Sequence, residues 1–544
     1  MKADTSTLPN DPSELQSLVL ALQQKNAALN AVNDQLETRL DNLESELRLY
    51  RIKRFQSQSE KAKALLEDLN AEQGEIFPDS LSEILKELGL SSQDNTEDAA
   101  TPIEVKPHTR KPRKSRELDP KLPRVDVTYE LDDKQCDHCG ETMTCIGEES
   151  PLQQLAIAPA KQFVIRHIRK KYACSCKHCV KRAPMPQQPI PKSQASAQLL
   201  AFLMVSKFID GLPLYRLERI LARYGMDLSR QNMARWFIQA SAHFDRILQA
   251  FEAVIPTYDI ASADETRLQV LNEPGRTSKQ KSWLWIRRGG PPDRSVILVD
   301  YDSSRSGDVP RRLLEPFKNG YLVVDAYAGY KQVAKDNHLC IVGCHDHARR
   351  KFKEAYDSLS VKSRQTRGGI AKQALKRYQA LYAIEKTLKD KDPETKYKIR
   401  QEQSLPLLKS FHDWLTKVKD LGVAHEKTST AVNYFLNQYG PLTQYCEDGR
   451  LPISNILSEH VAKSIAIARK NFLFANTQSG AYAAGKIYSV VLTAAQHEHE
   501  PIQYLTMLMS KLPGIKGNES IEHLLPWNVS KEQVKTYVDS LPSI

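Results

Sequence analysis

Apolar residues recur at heptad spacing from Leu15 to Tyr50, through Leu18, Leu22, Leu29, Val32, Leu36 and Leu43. That period predicts a long amphipathic helix with a coiled-coil seam. Lys25 and Arg39 interrupt the seam and it drifts toward Leu40 and Leu47, so a single helix packed on its own protein is the competing reading. Further along, Ala197 to Phe208 is an apolar helical run, followed by Leu214 to Tyr224, the turn Gly225-Met226-Asp227-Leu228, and Ser229 to Ala242. A helix, a short glycine turn and a second helix opening on a serine cap make a helix-turn-helix. Met233, Trp236 and Phe237 form the inward face of the second helix, leaving Arg230, Gln231, Asn232 and Arg235 outward. Arg, Gln and Asn are the side chains that read base edges in a major groove.

After Ile255 the pattern turns to strands. Tyr258–Ala263 runs into Asp264, Leu268–Leu271 follows, and Trp283–Ile286 joins Val296–Val299 across a Gly-Gly-Pro-Pro turn. A helix over Val309–Phe317, strands at Tyr321–Val324 and Leu339–Val342, and a helix over Asp346–Tyr356 complete the run. This is the order of an RNase H-like core. Asp264 and Asp325 are expected at the ends of apolar strands, where one sheet edge brings two carboxylates together. Carboxylates that close repel unless a divalent cation lies between them. Two Mg²⁺ ions roughly 4 Å apart activate an attacking oxygen and stabilise a leaving one in nucleotidyl transfer.

Composition narrows the partners. The 544 residues carry 77 Lys and Arg against 66 Asp and Glu, a net charge of 77 − 66 = +11, which favours an anionic partner. The longest apolar run, Leu199 to Val205, is far too short to span a bilayer, and the polar start lacks a signal-peptide core. The expectation is a cytoplasmic protein with no membrane partner. Lys106 to Arg124 holds eight basic residues, two acidic ones and four prolines, and reads as an extended linker; Arg110 to Lys114 adds non-specific phosphate contacts.

Six of the nine cysteines cluster between Cys136 and Cys179. Cys136-x-x-Cys139 and Cys176-x-x-Cys179 are thiolate pairs separated by 36 residues, the set that closes a structural Zn²⁺ site. Cys174 or His178 is an alternative ligand in the second pair, and Cys145 has no evident partner. The string Cys344-His345-Asp346-His347 also has metal-like spacing, but one face of one helix offers too few ligands for a closed site. His347 is expected at the edge of the acid site, with Arg349, Arg350 and Lys351 facing phosphate.

Several strings together resemble the insertion sequence 66 family of DDE transposases. They are Ala263-Asp264-Glu265-Thr266, Val324-Asp325-Ala326-Tyr327-Ala328-Gly329-Tyr330, Cys344-His345-Asp346-His347-Ala348-Arg349-Arg350-Lys351-Phe352, Ala468-Arg469-Lys470-Asn471-Phe472-Leu473-Phe474 and Leu524-Leu525-Pro526-Trp527-Asn528. The resemblance implies a third acid, and Glu459 stands at its position, although Ser454, Ile456 and His460 depart from the family's residues there. Between Asp325 and Glu459 lie 133 residues, and much of Lys362 to Gln438 reads as a helical insertion. On a helix from Leu457 to Lys470, Glu459, Lys463 and Lys470 share a face, with Arg469 beside it, so an acid and phosphate-seeking cations lie side by side.

The fold class expected is multidomain α/β. It has an oligomerisation helix region (1–88), a basic linker (89–125), a zinc-ribbon-like module (126–195), a helix-turn-helix region (196–255), an RNase H-like core (256–360 and 440–500), a helical insertion (361–439) and a tail (501–544). The function implied is a DNA transposase binding its element's ends and target as double-stranded DNA. It would use Asp264, Asp325 and Glu459 with two Mg²⁺ or Mn²⁺ ions, assemble as a homo-oligomer, and draw on small accessory proteins from the same element. A catalytically decayed DNA-binding regulator, or a nuclease that cuts without joining, are the rival readings.

Overall fold

The computed structural model describes residues 11–55, 162–168, 170–173, 180–182, 185, 187–359, 369–517 and 519–542. The expected zinc ligands Cys136, Cys139, Cys176 and Cys179, with Cys145, Cys174 and His178, lie outside the described residues, as does Arg110 to Lys114. Helix α1 (Pro12–Phe55) runs for 44 residues. Proline suits its first turn, where no backbone donor is lost, and no glycine or proline follows to break it. Leu22, Leu29, Val32, Leu36 and Leu43 each leave half or more of their surface exposed. Strands β1 (Lys171–Ala173) and β2 (Val180–Arg182) pair antiparallel, with Ala173 opposite Val180, and so bracket the second cysteine cluster.

Helices α2 (Ala197–Phe208), α3 (Leu214–Arg223) and α4 (Arg230–Ser241) follow the sequence expectation closely. Gly225 makes the turn between α3 and α4 at φ +84, a conformation that costs glycine little because it has no Cβ. The Ser229 hydroxyl caps α4 by accepting from the Asn232 backbone N–H at 3.3 Å. After α5 (Asp245–Val254) comes the sheet: β3 (Ile260–Asn272), β4 (Lys281–Gly289), β5 (Val296–Asp302), α6 (Asp308–Leu313), β6 (Tyr321–Val324), α7 (Gly329–Asp336), β7 (Cys340–Gly343) and α8 (His345–Ser358). The strand order is β5-β4-β3-β6-β7. The β3–β4 and β4–β5 pairs are antiparallel, and the β3–β6 and β6–β7 pairs are parallel.

Two segments that read separately in the sequence, Tyr258–Ala263 and Leu268–Leu271, are one strand of 13 residues. Asp264 therefore lies inside β3 and not at its end. The charged residues Asp264, Glu265 and Arg267 break the apolar run, but β4 pairs continuously with β3 from Ser262 to Gln269 and carries the strand through. Asp325, by contrast, directly follows β6 as expected. Helix α7 is not among the elements that the sequence pattern predicts.

Helices α9 (Gly369–Thr387), α10 (Pro393–Ile399), α11 (Leu405–Asp420), α12 (Glu426–Asn437) and α13 (Tyr439–Thr443) form the insertion. Tyr378, Phe411 and Phe435 build its own apolar core, which reaches the sheet at Val323 and Val342. The chain then returns through α14 (Ile456–Phe472), β8 (Ala475–Thr477), α15 (Gln478–Gln496), α16 (Pro501–Lys511) and α17 (Lys531–Asp539). Helix α15 covers the edge strand β5. Its Ser489 and Thr493 hydroxyls accept from the Val299 and Ile297 N–H groups at 2.8 and 3.0 Å, satisfying donors that would otherwise invite another strand. Gly485 permits this approach, since a Cβ there would stand 2.5 Å from the Val299 carbonyl oxygen. The helices of 196–255 and of 501–544 share one apolar core with the sheet, through residues such as Leu203, Phe251, Ile286, Tyr504 and Leu508. No helix among the described residues is long and apolar enough to cross a membrane.

Candidate active site

The register of two parallel strands sets the first pair of acids. Ala261 and Ser262 of β3 pair with Leu322 and Val323 of β6. Two residues further along each chain stand Asp264 and Asp325, so the same register carries both carboxylates to one level. Asp264 Oδ1 accepts from the Glu265 N–H and Asp325 Oδ1 from the Tyr327 N–H, both at 2.9 Å. Helix α14 lies along β3 and is fixed at its start. The Ser458 and Ser262 hydroxyls meet at 2.7 Å, and Asn455 Nδ2 donates to the Ala263 carbonyl at 2.8 Å. Glu459, in the first turn of α14, is thereby brought to the acids.

Asp264 feels both of the other acids. Burial pushes the Asp264 carboxyl up to about 7, helped by repulsion from Glu265, Glu459 and Asp325 and opposed by the Glu265 N–H. Of the acids that precede α14, Asp448 is held by Arg450 at 2.7 Å, and Glu447 is exposed. Glu459 has the opposite environment. Burial would raise it, but His347, Cys344 and Arg350 hold it at about 2. Cys344 Sγ donates to Glu459 Oε1 at 3.0 Å, His347 Nδ1 lies 3.1 Å from the same oxygen, and Arg350 Nη2 donates to Oε2 at 3.2 Å.

The Cys344, His345 and His347 group separates. His345 is fully buried against the insertion, Nε2 on the Leu442 carbonyl at 2.8 Å, and burial lowers it to about 4. Cys344 and His347 face Glu459, and the three bring one donor atom each within 4.8 Å of one another. Glu459, from a different helix, completes this group of three. Arg350, expected on phosphate, is paired with Glu459, and Lys351 Nζ stands 4.8 Å over the Tyr434 ring. Arg349 and Lys463 are half-buried and Lys470 exposed. Arg469 Nη1 lies 3.5 Å from the Thr266 hydroxyl. On α4, Arg230, Gln231 and Arg235 are exposed, and Asn232 Oδ1 accepts from Arg235.

Sequence reasoning overlooked Glu265. Its side chain is 3% exposed, paired with Arg305 and accepting from the Tyr330 hydroxyl at 3.0 Å. Burial raises its carboxyl and the Arg305 guanidinium opposes the shift. Strand alternation was the available signal: adjacent Asp264 and Glu265 must face opposite sides of β3. Arg305 gave none, since its partner is 40 residues away.

Residues 192–483 match the Transposase IS66 family, more than half of the chain. The chain belongs to that family. Residues 133–177 match the zinc-finger binding domain of transposase IS66, which takes in Cys136, Cys139, Cys174 and Cys176 and stops before Cys179. Residues 42–127 match a domain described as Transposase C of IS166 homeodomain. The chain is similar to three uncharacterised proteins of Sinorhizobium fredii. One, y4qI, is 28% identical and covers 98% of this chain and 100% of its own length. A second, y4jD, is 29% identical over 76% of this chain and 81% of its own, and y4hP is 26% identical over 74% of each. As an IS66 family member with a zinc-finger domain, the protein takes its place among DNA-processing transposases.

Proposed function

We propose that this IS66 transposase cuts and joins DNA strands at Asp264, Asp325 and Glu459. The observation that carries the reading is the register that brings Asp264 and Asp325 to one level at the end of the β3–β6 pair, with Glu459 near enough to add to the burial that raises Asp264 to about 7. An all-oxygen acid set in that condition fits hard divalent cations, Mg²⁺ or Mn²⁺. Bound there, such cations would supply Lewis acidity toward a scissile phosphate. The chain's own work is to hold Asp264 and Asp325 at one level, to aim Glu459 through α14, and to neutralise charge on the far side through Arg350 and His347. Water is the nucleophile in cleavage and a DNA 3′-hydroxyl in joining, so no covalent protein–DNA bond is required. The strand order β5-β4-β3-β6-β7 with three antiparallel strands and two parallel ones supports an RNase H-like core.

The exposed face of α4 at Arg230, Gln231 and Arg235 supports base reading by the helix-turn-helix, with Asn232 beside it. The cations Arg349, Lys463, Arg469 and Lys470 on α8 and α14 support phosphate contact beside the acids. The apolar row exposed along α1 supports self-association through a coiled coil, and the zinc-finger match supports a structural Zn²⁺ held by cysteines. The deciding experiment is strand cleavage and strand transfer on the element's own ends in Mg²⁺, wild type against Asp264→Asn. Cleavage and joining should both vanish in the variant while end binding persists. Strand cutting retained by Asp264→Asn would refute the assignment.

A further inference from the structure

Three side chains of different chemistry converge where α8 and α14 begin. Cys344 follows β7 and stands at the N-cap of α8, His347 lies in the first turn of that helix, and Glu459 lies in the first turn of α14. One donor atom from each falls within 4.8 Å of the other two. Cys344 Sγ and His347 Nδ1 stand 3.0 and 3.1 Å from the same oxygen, Glu459 Oε1. Around a tetrahedral Zn²⁺ ion, bonds of about 2.3 Å to sulfur and about 2.1 Å to nitrogen or oxygen put ligand atoms roughly 3.4 to 3.5 Å apart. Both separations from Oε1 therefore need to open by only about half an ångström to admit an ion.

The protein's own contacts leave this group incompletely paired. His347 Nδ1 is buried without a hydrogen-bond partner, because its approach to Oε1 lacks the alignment of a hydrogen bond. A buried ring nitrogen left unpaired is a donor available to a metal ion. Burial keeps Cys344 a thiol, well above its usual range. A coordinating ion nevertheless displaces a thiol proton, which passes to water. The resulting thiolate would find the Asn455 backbone N–H at 3.4 Å and the N-terminus of α8, both of which favour negative charge. His347 and Glu459 are half-buried, so an ion can reach the group from solvent. Mg²⁺ takes oxygen ligands, whereas a set of sulfur, nitrogen and oxygen suits Zn²⁺ and Co²⁺.

We propose that Cys344, His347 and Glu459 form a site for one thiophilic divalent ion of the Zn²⁺ class, with water in its fourth position. The site stands on this donor set and goes beyond the strand-cutting reading, which needs only the oxygens of the acids. It is also separate from the cysteine-rich module matched as a zinc finger, since none of its three ligands lies in residues 133–177.

The test replaces all bound metal in the full chain by Co²⁺, through a chelator step under reductant, and compares metal content and absorption among variants. Wild type should hold one more Co²⁺ per chain than Cys344→Ser. The difference spectrum should carry a thiolate-to-cobalt charge-transfer band and the visible bands of tetrahedral Co²⁺. His347→Ala and Glu459→Gln should each lower Co²⁺ affinity at this site by roughly tenfold or more. Cys340→Ser, at an exposed cysteine on β7, should match wild type. Equal Co²⁺ content and identical spectra in wild type and Cys344→Ser would overturn the site, as would an equal loss in Cys340→Ser. Melting curves accompany each variant; if Cys344→Ser does not fold, His347→Ala decides, and wild-type Co²⁺ affinity in it would refute the site. Asp264→Asn should keep the Cys344-dependent band, so strand cutting retained by that variant would remove the catalytic reading and leave this site standing.

Discussion

The strand side and the helix side of the acid cluster are built on opposite principles. On β3, Asp264 is buried among other carboxylates and its strongest local help is one backbone N–H. On α14, Glu459 is equally enclosed but met by a thiol, an imidazole and a guanidinium. Burial acts in the same direction on both, so the difference in their acidity comes from partners and not from solvent exclusion. One carboxylate is left short of positive charge and the other is supplied with it. A site divided this way has a side where an added cation gains most and a side already oriented before any cation arrives.

The largest expected effect breaks the comparison by sign. In metal-free protein, Asp264→Asn should stabilise the fold at neutral pH and Glu459→Gln should destabilise it, although both should abolish strand cutting. The folded-state value for Asp264 is about 7 against an ordinary 3.8, so the folded state holds the proton more tightly. Its cost is absent below pH 4, grows between pH 4 and pH 7, and levels off above that at on the order of 4 kcal/mol. Glu459 is at about 2 against 4.5, so its contribution is present above pH 4.5 and disappears as the pH falls through 2. Melting temperatures of the two variants at pH 4 and pH 8 check this. A shift of the same sign in both at pH 8 would show that their surroundings do not differ as described.

A smaller effect follows for metal. Mg²⁺ should raise the melting temperature of wild type more at pH 8 than at pH 5, because at pH 5 a proton already occupies Asp264 and must leave. Asp264→Asn should lose most of that increment, while Glu447→Gln should retain it. Equal Mg²⁺ stabilisation in wild type and Asp264→Asn would place the cation elsewhere.

The same division explains what the sequence disclosed. The strand order, the helix-turn-helix boundaries and the Ser229 cap were legible because each depends on local period and capping chemistry. Asp325 was legible as the residue ending an apolar run. Asp264 was misplaced to a strand end because the apolar pattern stops there, while the strand continues on the strength of its pairing with β4. His347 was expected at the edge of the acid site, but Cys344 and Arg350 were hidden as partners of Glu459 because they are more than 100 residues away in the chain, separated by the whole insertion. The insertion itself was legible as helical but gave no sign that its core would close against Val323 and Val342, behind the acids.

The smallest prediction separates orientation from competition on the helix side. Arg350 is about half exposed, so its bond to Glu459 Oε2 should contribute little to stability, roughly 0.5 kcal/mol or less after solvent screening. Its effect on metal is more telling. The guanidinium occupies a carboxylate oxygen that a cation at the acid cluster would also use. If the two compete, Arg350→Ala should tighten Mg²⁺ binding by roughly threefold while moving the acid-unfolding midpoint only slightly upward. If Arg350 instead serves to aim Glu459, the same variant should weaken Mg²⁺ and leave the acid limb almost unchanged. Arg350→Lys distinguishes the cases further, since a lysine keeps the charge but cannot present the planar fork. Isothermal titration of Mg²⁺ into the three proteins decides it. The arrangement of the site favours competition, because Cys344 and His347 already hold the other oxygen of Glu459 without help from Arg350.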